Sequence, residues 1–89
     1  MGTALRQRKT TKQDGLLLEA IGRTIYDARM ELGLTQTELA RRARVSRFQM
    51  CKHESGTAEM PITRLVDICR HLKVRPFEMM RSAIKDMEV

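Results

Sequence analysis

The chain has 89 residues, with 17 lysines and arginines against 11 acidic residues and a formal net charge of +6. This length suits one small domain with a modest core, and the charge indicates a polyanionic partner or a membrane surface. The sequence contains no apolar run long enough to span a bilayer and no apolar signal-peptide core, so we expect a cytoplasmic protein without a membrane partner.

Residues 1–15 combine several cations with a single acid, Asp14, and show no helical periodicity. We interpret this segment as a disordered basic N-terminal arm. Its basic residues are Arg6, Arg8, Lys9 and Lys12. Such an arm either neutralises phosphates or serves only as a solubilising tail.

The first helix is predicted over residues 17–32. Its apolar side chains recur at the spacing of one helical face, at Ile21, Ile25, Ala28 and Leu32. Gly33 follows directly and is expected to end the helix in the left-handed conformation.

Residues 34–54 contain two helix-start signals eleven positions apart. Thr35 with Glu38 forms a capping box, and Ser46 with Gln49 repeats the pattern. This spacing leaves room for about two turns of helix and then a tight bend. We therefore predict two short helices joined by a sharp turn.

The second of these helices is predicted to have two faces of different chemistry. Met50, His53 and Glu54 share the inner face, and the outer face carries Arg47, Phe48, Cys51, Lys52 and Ser55. A short helix with a cationic, mixed outer face is what reading of the DNA major groove requires. The plainer interpretation is a solvated basic face on a small helical domain.

Pro61 introduces a fourth predicted helix over residues 62–72, and Pro76 begins a fifth. The apolar stripe of the fifth helix is Phe77, Met80, Ile84 and Met87. We expect the first two to pack on the first helix and the last two to meet a partner subunit, because an exposed apolar stripe favours association. The four residues together form the predicted dimer interface.

The stretch TQTELARRARVS, with Met50, Glu54, Gly56 and Pro61 after it, resembles the helix-turn-helix of the Cro and phage-repressor (XRE) family. The likeness covers roughly residues 21–80. It implies an all-α fold, a compact five-helix lambda-repressor-like DNA-binding domain over residues 16–82, with the helix-turn-helix at about 35–55. Residues 83–89 would be a C-terminal tail with a possible dimer contact. Arg44 stands where the family usually has a glycine at the turn.

The resemblance also implies a function. It suggests a sequence-specific regulator of transcription that binds double-stranded DNA, a repressor acting as a homodimer on a two-fold symmetric operator. The base-reading residues would be Arg47, Phe48, Cys51 and Lys52. The phosphate contacts would be Gln36, Arg41, Arg42, Ser46, Thr57 and Arg64. Arg29 and Glu54 match a structural ion pair of the family that ties the first helix to the end of the third.

Within the base-reading set, Arg47 is expected to bind a guanine and Phe48 a thymine methyl group. In the alternative, Arg47 grips a phosphate and Phe48 points into the core. A different class of function also remains open, an antitoxin-type module that binds a toxin and regulates itself through DNA. An RNA-binding role is less consistent with the low aromatic content of 3%.

No catalytic constellation, cofactor motif or metal site is predicted. The pattern C-x-H occurs twice, at Cys51 with His53 and at Cys69 with His71. Residues two apart on a helix point in nearly opposite directions, so neither pair can bind one ion. We therefore expect neither an enzyme nor a metalloprotein.

Overall fold

Five α-helices and the turns between them make up residues 11–87, the part of the chain that the computed structural model describes. The helices are α1 (Lys12–Glu31), α2 (Gln36–Ala43), α3 (Arg47–Ser55), α4 (Ile62–Leu72) and α5 (Pro76–Met87). This confirms the all-α five-helix prediction. None of these helices is long and apolar enough to cross a membrane.

The start of α1 corrects the prediction for residues 11–15. The helix begins at Lys12 instead of Leu17, because Thr11 and Asp14 form a capping box. Asp14 donates its backbone N–H to Thr11 Oγ1 at 3.1 Å, and its side chain accepts from the Thr11 N–H at 3.0 Å. Lys12 therefore belongs to a helix and not to a disordered arm, whereas Arg6, Arg8 and Lys9 lie outside the described residues.

The helix-turn-helix begins and ends close to the predicted positions. Both bonds of the Thr35–Glu38 capping box are present, at 3.0 and 2.8 Å, and these bonds hold the pKa of Glu38 below its ordinary value. Ser46 Oγ accepts from the Gln49 N–H at 3.0 Å. Arg44 ends α2 in the left-handed region with φ of 61°. Glycine adopts this conformation readily, whereas an arginine in it lowers the stability of the fold because its Cβ lies too close to the backbone.

The core draws on all five helices. Ile25, Leu39, Met50, Ile68 and Ala83 are each fully buried. The first helix packs against α3 and α5, while α2 packs against α3 and α4. Helix α3 is thus held from two sides, which leaves its opposite face exposed to solvent.

The rotation of α5 corrects two predictions. Met79 and Ala83 face the core, with Met87 partly buried beside them, so residues 83–87 form a packed helical turn and not a tail. Phe77 is 71% exposed and does not pack on α1. Two apolar stripes run along this helix, and the core takes the one with the smaller side chains because a small residue permits close helix packing.

Candidate DNA interface

Helix α3 lies unusually close to α1. A Cβ atom on Gly22 would contact the backbone carbonyl oxygen of Glu54 and would lie 2.6 Å from that of His53. Only a glycine permits this approach, because backbone atoms at the end of α3 cannot move aside as a side chain can. Gly22 is not among the residues predicted from the sequence, although a glycine inside a helix costs about 1 kcal/mol relative to alanine and is itself a signal of close packing.

A buried ion pair fixes the C-terminal end of α3. Arg29 Nε donates to Glu54 Oε2 at 2.6 Å, and Arg29 Nη2 donates to Glu54 Oε1 at 3.0 Å. The same arginine donates from Nη1 to the carbonyl oxygen of Leu34 at 2.8 Å. Arg29 is only 7% exposed. Its hydrogen bonding to Glu54 raises the pKa of Arg29 above the ordinary value. The pair joins α1, the α1–α2 turn and α3 in one network.

A buried histidine connects α3 to α4. His53 is 1% exposed, and Arg64 Nη1 lies 3.2 Å from its Nε2. Since arginine can only donate, Nε2 accepts and the ring proton sits on Nδ1, which has no hydrogen-bond partner in the part of the chain that the structure describes. Burial, and then the charge of Arg64, lowers the pKa of His53 below its ordinary value. The imidazole is therefore neutral at pH 7 and positions Arg64 beside α3.

The exposed side of α3 carries the side chains predicted to read bases. We refer to Arg47, Phe48, Cys51 and Lys52 as the α3 outer surface. Phe48 is 70% exposed, so it does not point into the core as the alternative interpretation required. The Lys52 ammonium lies 4.9 Å from the centroid of the Phe48 ring, a distance at which a cation and an aromatic ring attract each other. An aromatic ring and cationic groups therefore share one solvent-facing surface.

The six predicted phosphate contacts occupy different settings. Arg41 and Arg42 are exposed on α2. Gln36 Nε2 donates to Glu54 Oε1 at 3.0 Å, so this amide braces the buried ion pair. Thr57 Oγ1 lies 3.0 Å from Ser55 Oγ. Ser46 caps α3, and Arg64 lies beside His53. Among residues 11–87, therefore, Arg41 and Arg42 are the members of the predicted set whose side chains are exposed and make no hydrogen bond to the protein.

The cysteines are both free and differ in setting. Cys51 is exposed on the α3 outer surface, whereas Cys69 is buried with its Sγ 3.4 Å from Met79 Sδ. Burial raises the pKa of the Cys69 thiol. Because Cys51 faces solvent and His53 faces the core, this C-x-H pair points in two directions.

Comparison with known proteins supplies an independent result. Residues 29–81, more than half of the chain, match the family of Cro/C1-type HTH DNA-binding domains. No match is found among curated proteins.

Several solved structures resemble this fold. The clp gene regulator ClgR from Corynebacterium glutamicum is 29% identical with a TM-score of 0.78, over 81% of this chain and 77% of that one. The restriction-modification controller protein C.Esp1396I, solved as a tetramer with its natural 35 base-pair operator, is 26% identical with a TM-score of 0.71, over 82% and 96%. The controller protein C.AhdI from Aeromonas hydrophila, at 22% identity and a TM-score of 0.67 over 70% and 94%, shows the fold alone.

Proposed function

The chain belongs to the family of Cro/C1-type helix-turn-helix DNA-binding domains, and we propose that it is a sequence-specific repressor that binds a two-fold symmetric operator as a dimer. The observation that carries the proposal is the α3 outer surface. An aromatic ring, a thiol and two cations face solvent on a helix that is fixed by Gly22, by the Arg29–Glu54 pair and by His53. A rigid helix with such a face can enter a major groove without first being ordered.

Within this surface, Arg47 and Phe48 stand in the first turn of α3, the end that enters the groove in this architecture. The guanidinium of Arg47 offers two parallel donors to O6 and N7 of a guanine. Phe48 has no polar atom on its ring and fits a thymine methyl group. Lys52 lies one turn further along and keeps the ring of Phe48 in place through its ammonium group.

Replacing Arg47 with alanine is expected to weaken operator binding by about 1–3 kcal/mol and to relax the base preference at one position in each half-site. The preferred operator is first obtained by selecting bound sequences from a random duplex pool. Affinities are then measured for that operator, for its single-base variants and for unrelated duplex DNA.

Arg41→Ala is the matched control because it removes the same charge from an exposed residue outside the α3 outer surface. We expect it to weaken binding to all sequences alike and to reduce the salt slope by about one unit. An equal loss for operator and unrelated DNA in Arg47→Ala would instead assign Arg47 to a phosphate.

The dimer is proposed to form through α5. Phe77, Met80 and Ile84 line an open groove of about 510 Å³ together with Arg81 and Lys85. Phe77 is 71% and Ile84 43% exposed, an arrangement that favours burial against another surface. A second copy of α5, packed antiparallel about a two-fold axis near Met80, would place Phe77 of one chain against Ile84 of the other.

The same packing brings opposite charges together. Glu78 and Lys85 lie on one flank of the apolar stripe, so the two-fold axis places Glu78 of each chain near Lys85 of the second copy. Half-sites in the operator would then lie about 34 Å apart, one turn of DNA.

Charge reversal tests this packing. Glu78→Lys and Lys85→Glu are each expected to raise the dimer dissociation constant about tenfold, because each places like charges at two symmetric contacts. The double variant is expected to restore the original value. Analytical ultracentrifugation at several concentrations measures all four proteins. A double variant no tighter than the singles would contradict this packing, and a chain that stays monomeric on DNA would leave α5 to a different protein, as an antitoxin would require.

A further inference from the structure

An open groove of about 720 Å³ lies between the end of α2, the α2–α3 turn and α4. Four guanidinium groups line it, from Arg42, Arg44, Arg64 and Arg70, against one carboxylate, that of Asp67. We call it the arginine groove. Its volume falls within the range of small-ligand sites, about 300–1,000 Å³.

Most of this positive charge is not neutralised by the protein. Asp67 Oδ1 already accepts from Arg70 Nη1 at 2.8 Å, and Arg64 is directed to the neutral His53. Within residues 11–87, the guanidinium groups of Arg42 and Arg44 have no hydrogen-bond or ion-pair partner, although the charge of Arg42 interacts with that of Glu38. The first turn of α4 also borders the groove, and it has neither a side-chain cap nor an acidic residue. The groove therefore carries a net positive charge.

Arg44 lines the groove from an unfavourable backbone conformation. Its φ of 61° is one that glycine adopts without cost and that other residues rarely occupy. Lys73, at the end of α4, has the same φ of 61° but does not line the groove. These two residues differ in location and share the same backbone state and charge, which makes them a natural pair for comparison.

We propose that the arginine groove is a phosphate-binding site separate from the α3 outer surface. Guanidinium groups bind phosphate oxygens through paired, charge-assisted hydrogen bonds, and Arg42 and Arg44 have all of their donors available. The lining contains no phenylalanine, tyrosine or tryptophan, and its four arginines make the phosphate itself the recognised chemistry. Its source is either the backbone of DNA or a free phosphorylated molecule, and the experiment distinguishes the two.

Inorganic pyrophosphate is the probe, added at constant ionic strength and followed by amide chemical shifts. The wild-type shifts are expected to change at residues 42–45 and 63–70 and not in α3. Arg44→Gly and Lys73→Gly remove the same charge and relieve the same backbone strain, so both are expected to raise the melting temperature by a similar amount. Only Arg44→Gly is expected to weaken pyrophosphate binding, by about tenfold, which corresponds to roughly 1.4 kcal/mol.

In a second experiment, the affinity of the same two variants for duplex DNA is measured at several salt concentrations. A loss of affinity and a salt slope smaller by about one unit in Arg44→Gly alone identify the DNA backbone as the source. Unchanged duplex binding with weakened pyrophosphate binding identifies a free phosphorylated ligand. The proposal would be overturned if Arg44→Gly and Lys73→Gly changed the affinity for pyrophosphate equally. It would also be overturned if a glutamate-rich peptide bound the groove and pyrophosphate did not. Neither the pyrophosphate experiment nor the duplex experiment measures base preference at the operator. A negative result for the arginine groove would therefore leave the proposed function intact.

Discussion

Replacing Glu54 with alanine is expected to lower the free energy of unfolding by roughly 3 kcal/mol or more. The substitution removes the acceptor of two hydrogen bonds from Arg29 and one from Gln36. The guanidinium would stay buried with no carboxylate, and its remaining acceptors would be the Leu34 carbonyl and the Met30 sulfur. An unpaired buried charge costs much more than the net contribution of the pair, which is why the loss is large. Urea denaturation monitored by circular dichroism measures the change.

Two comparisons separate the buried pair from a simple change of charge. Glu31→Ala removes the same charge from an exposed position in α1 and is expected to change stability by less than about 0.5 kcal/mol. The double replacement Arg29→Met with Glu54→Leu is expected to cost far less than Glu54→Ala, because no charge is left buried. If Glu54→Ala unfolds at the same urea concentration as the wild type, the pair does not stabilise the fold.

Gly22→Ala is expected to destabilise the protein by roughly 2 kcal/mol. The added methyl group would meet the backbone carbonyl oxygens of His53 and Glu54, so α1 and α3 must separate. Overpacking of this kind costs about 1–3 kcal/mol or more, and it outweighs the gain of about 1 kcal/mol in helix propensity. Because the displaced atoms end α3, the helix that we propose reads the operator, operator affinity measured on the folded variant is also expected to fall.

Gly15→Ala provides the matched control in the same helix. A Cβ at Gly15 meets no atom of the described residues within 4 Å. This variant is therefore expected to be stabilised by up to about 1 kcal/mol. Thermal unfolding of both variants tests the close contact of α1 with α3, because Gly22→Ala should lower the melting temperature and Gly15→Ala should raise it. A Gly22→Ala variant as stable as Gly15→Ala would show that the helices do not approach as described.

Much of the local structure could be predicted from the sequence. The capping residues Thr35 and Ser46 mark the starts of α2 and α3, because their hydrogen bonds join groups only three positions apart. Arg29 and Glu54 could be paired only through the family resemblance, since they are 25 positions apart. The start of α1 was within reach of the same reasoning: Thr11 and Asp14 form a capping box that the charge-based interpretation of residues 1–15 overlooked.

Other features depended on the tertiary structure. Periodicity allowed two apolar stripes on α5, and packing against α1 selected Met79 and Ala83 over the larger Phe77. The basic residues near α4 look alike in the sequence. In the structure, however, Arg64 lies beside His53, whereas the guanidinium groups of Arg42 and Arg44 line the arginine groove and make no hydrogen bond or ion pair within residues 11–87. The physical reason is the separation of the interacting groups along the chain. Capping hydrogen bonds join residues within one helical turn, so the local sequence is enough to predict them. Burial and charge compensation depend instead on groups that only folding brings together.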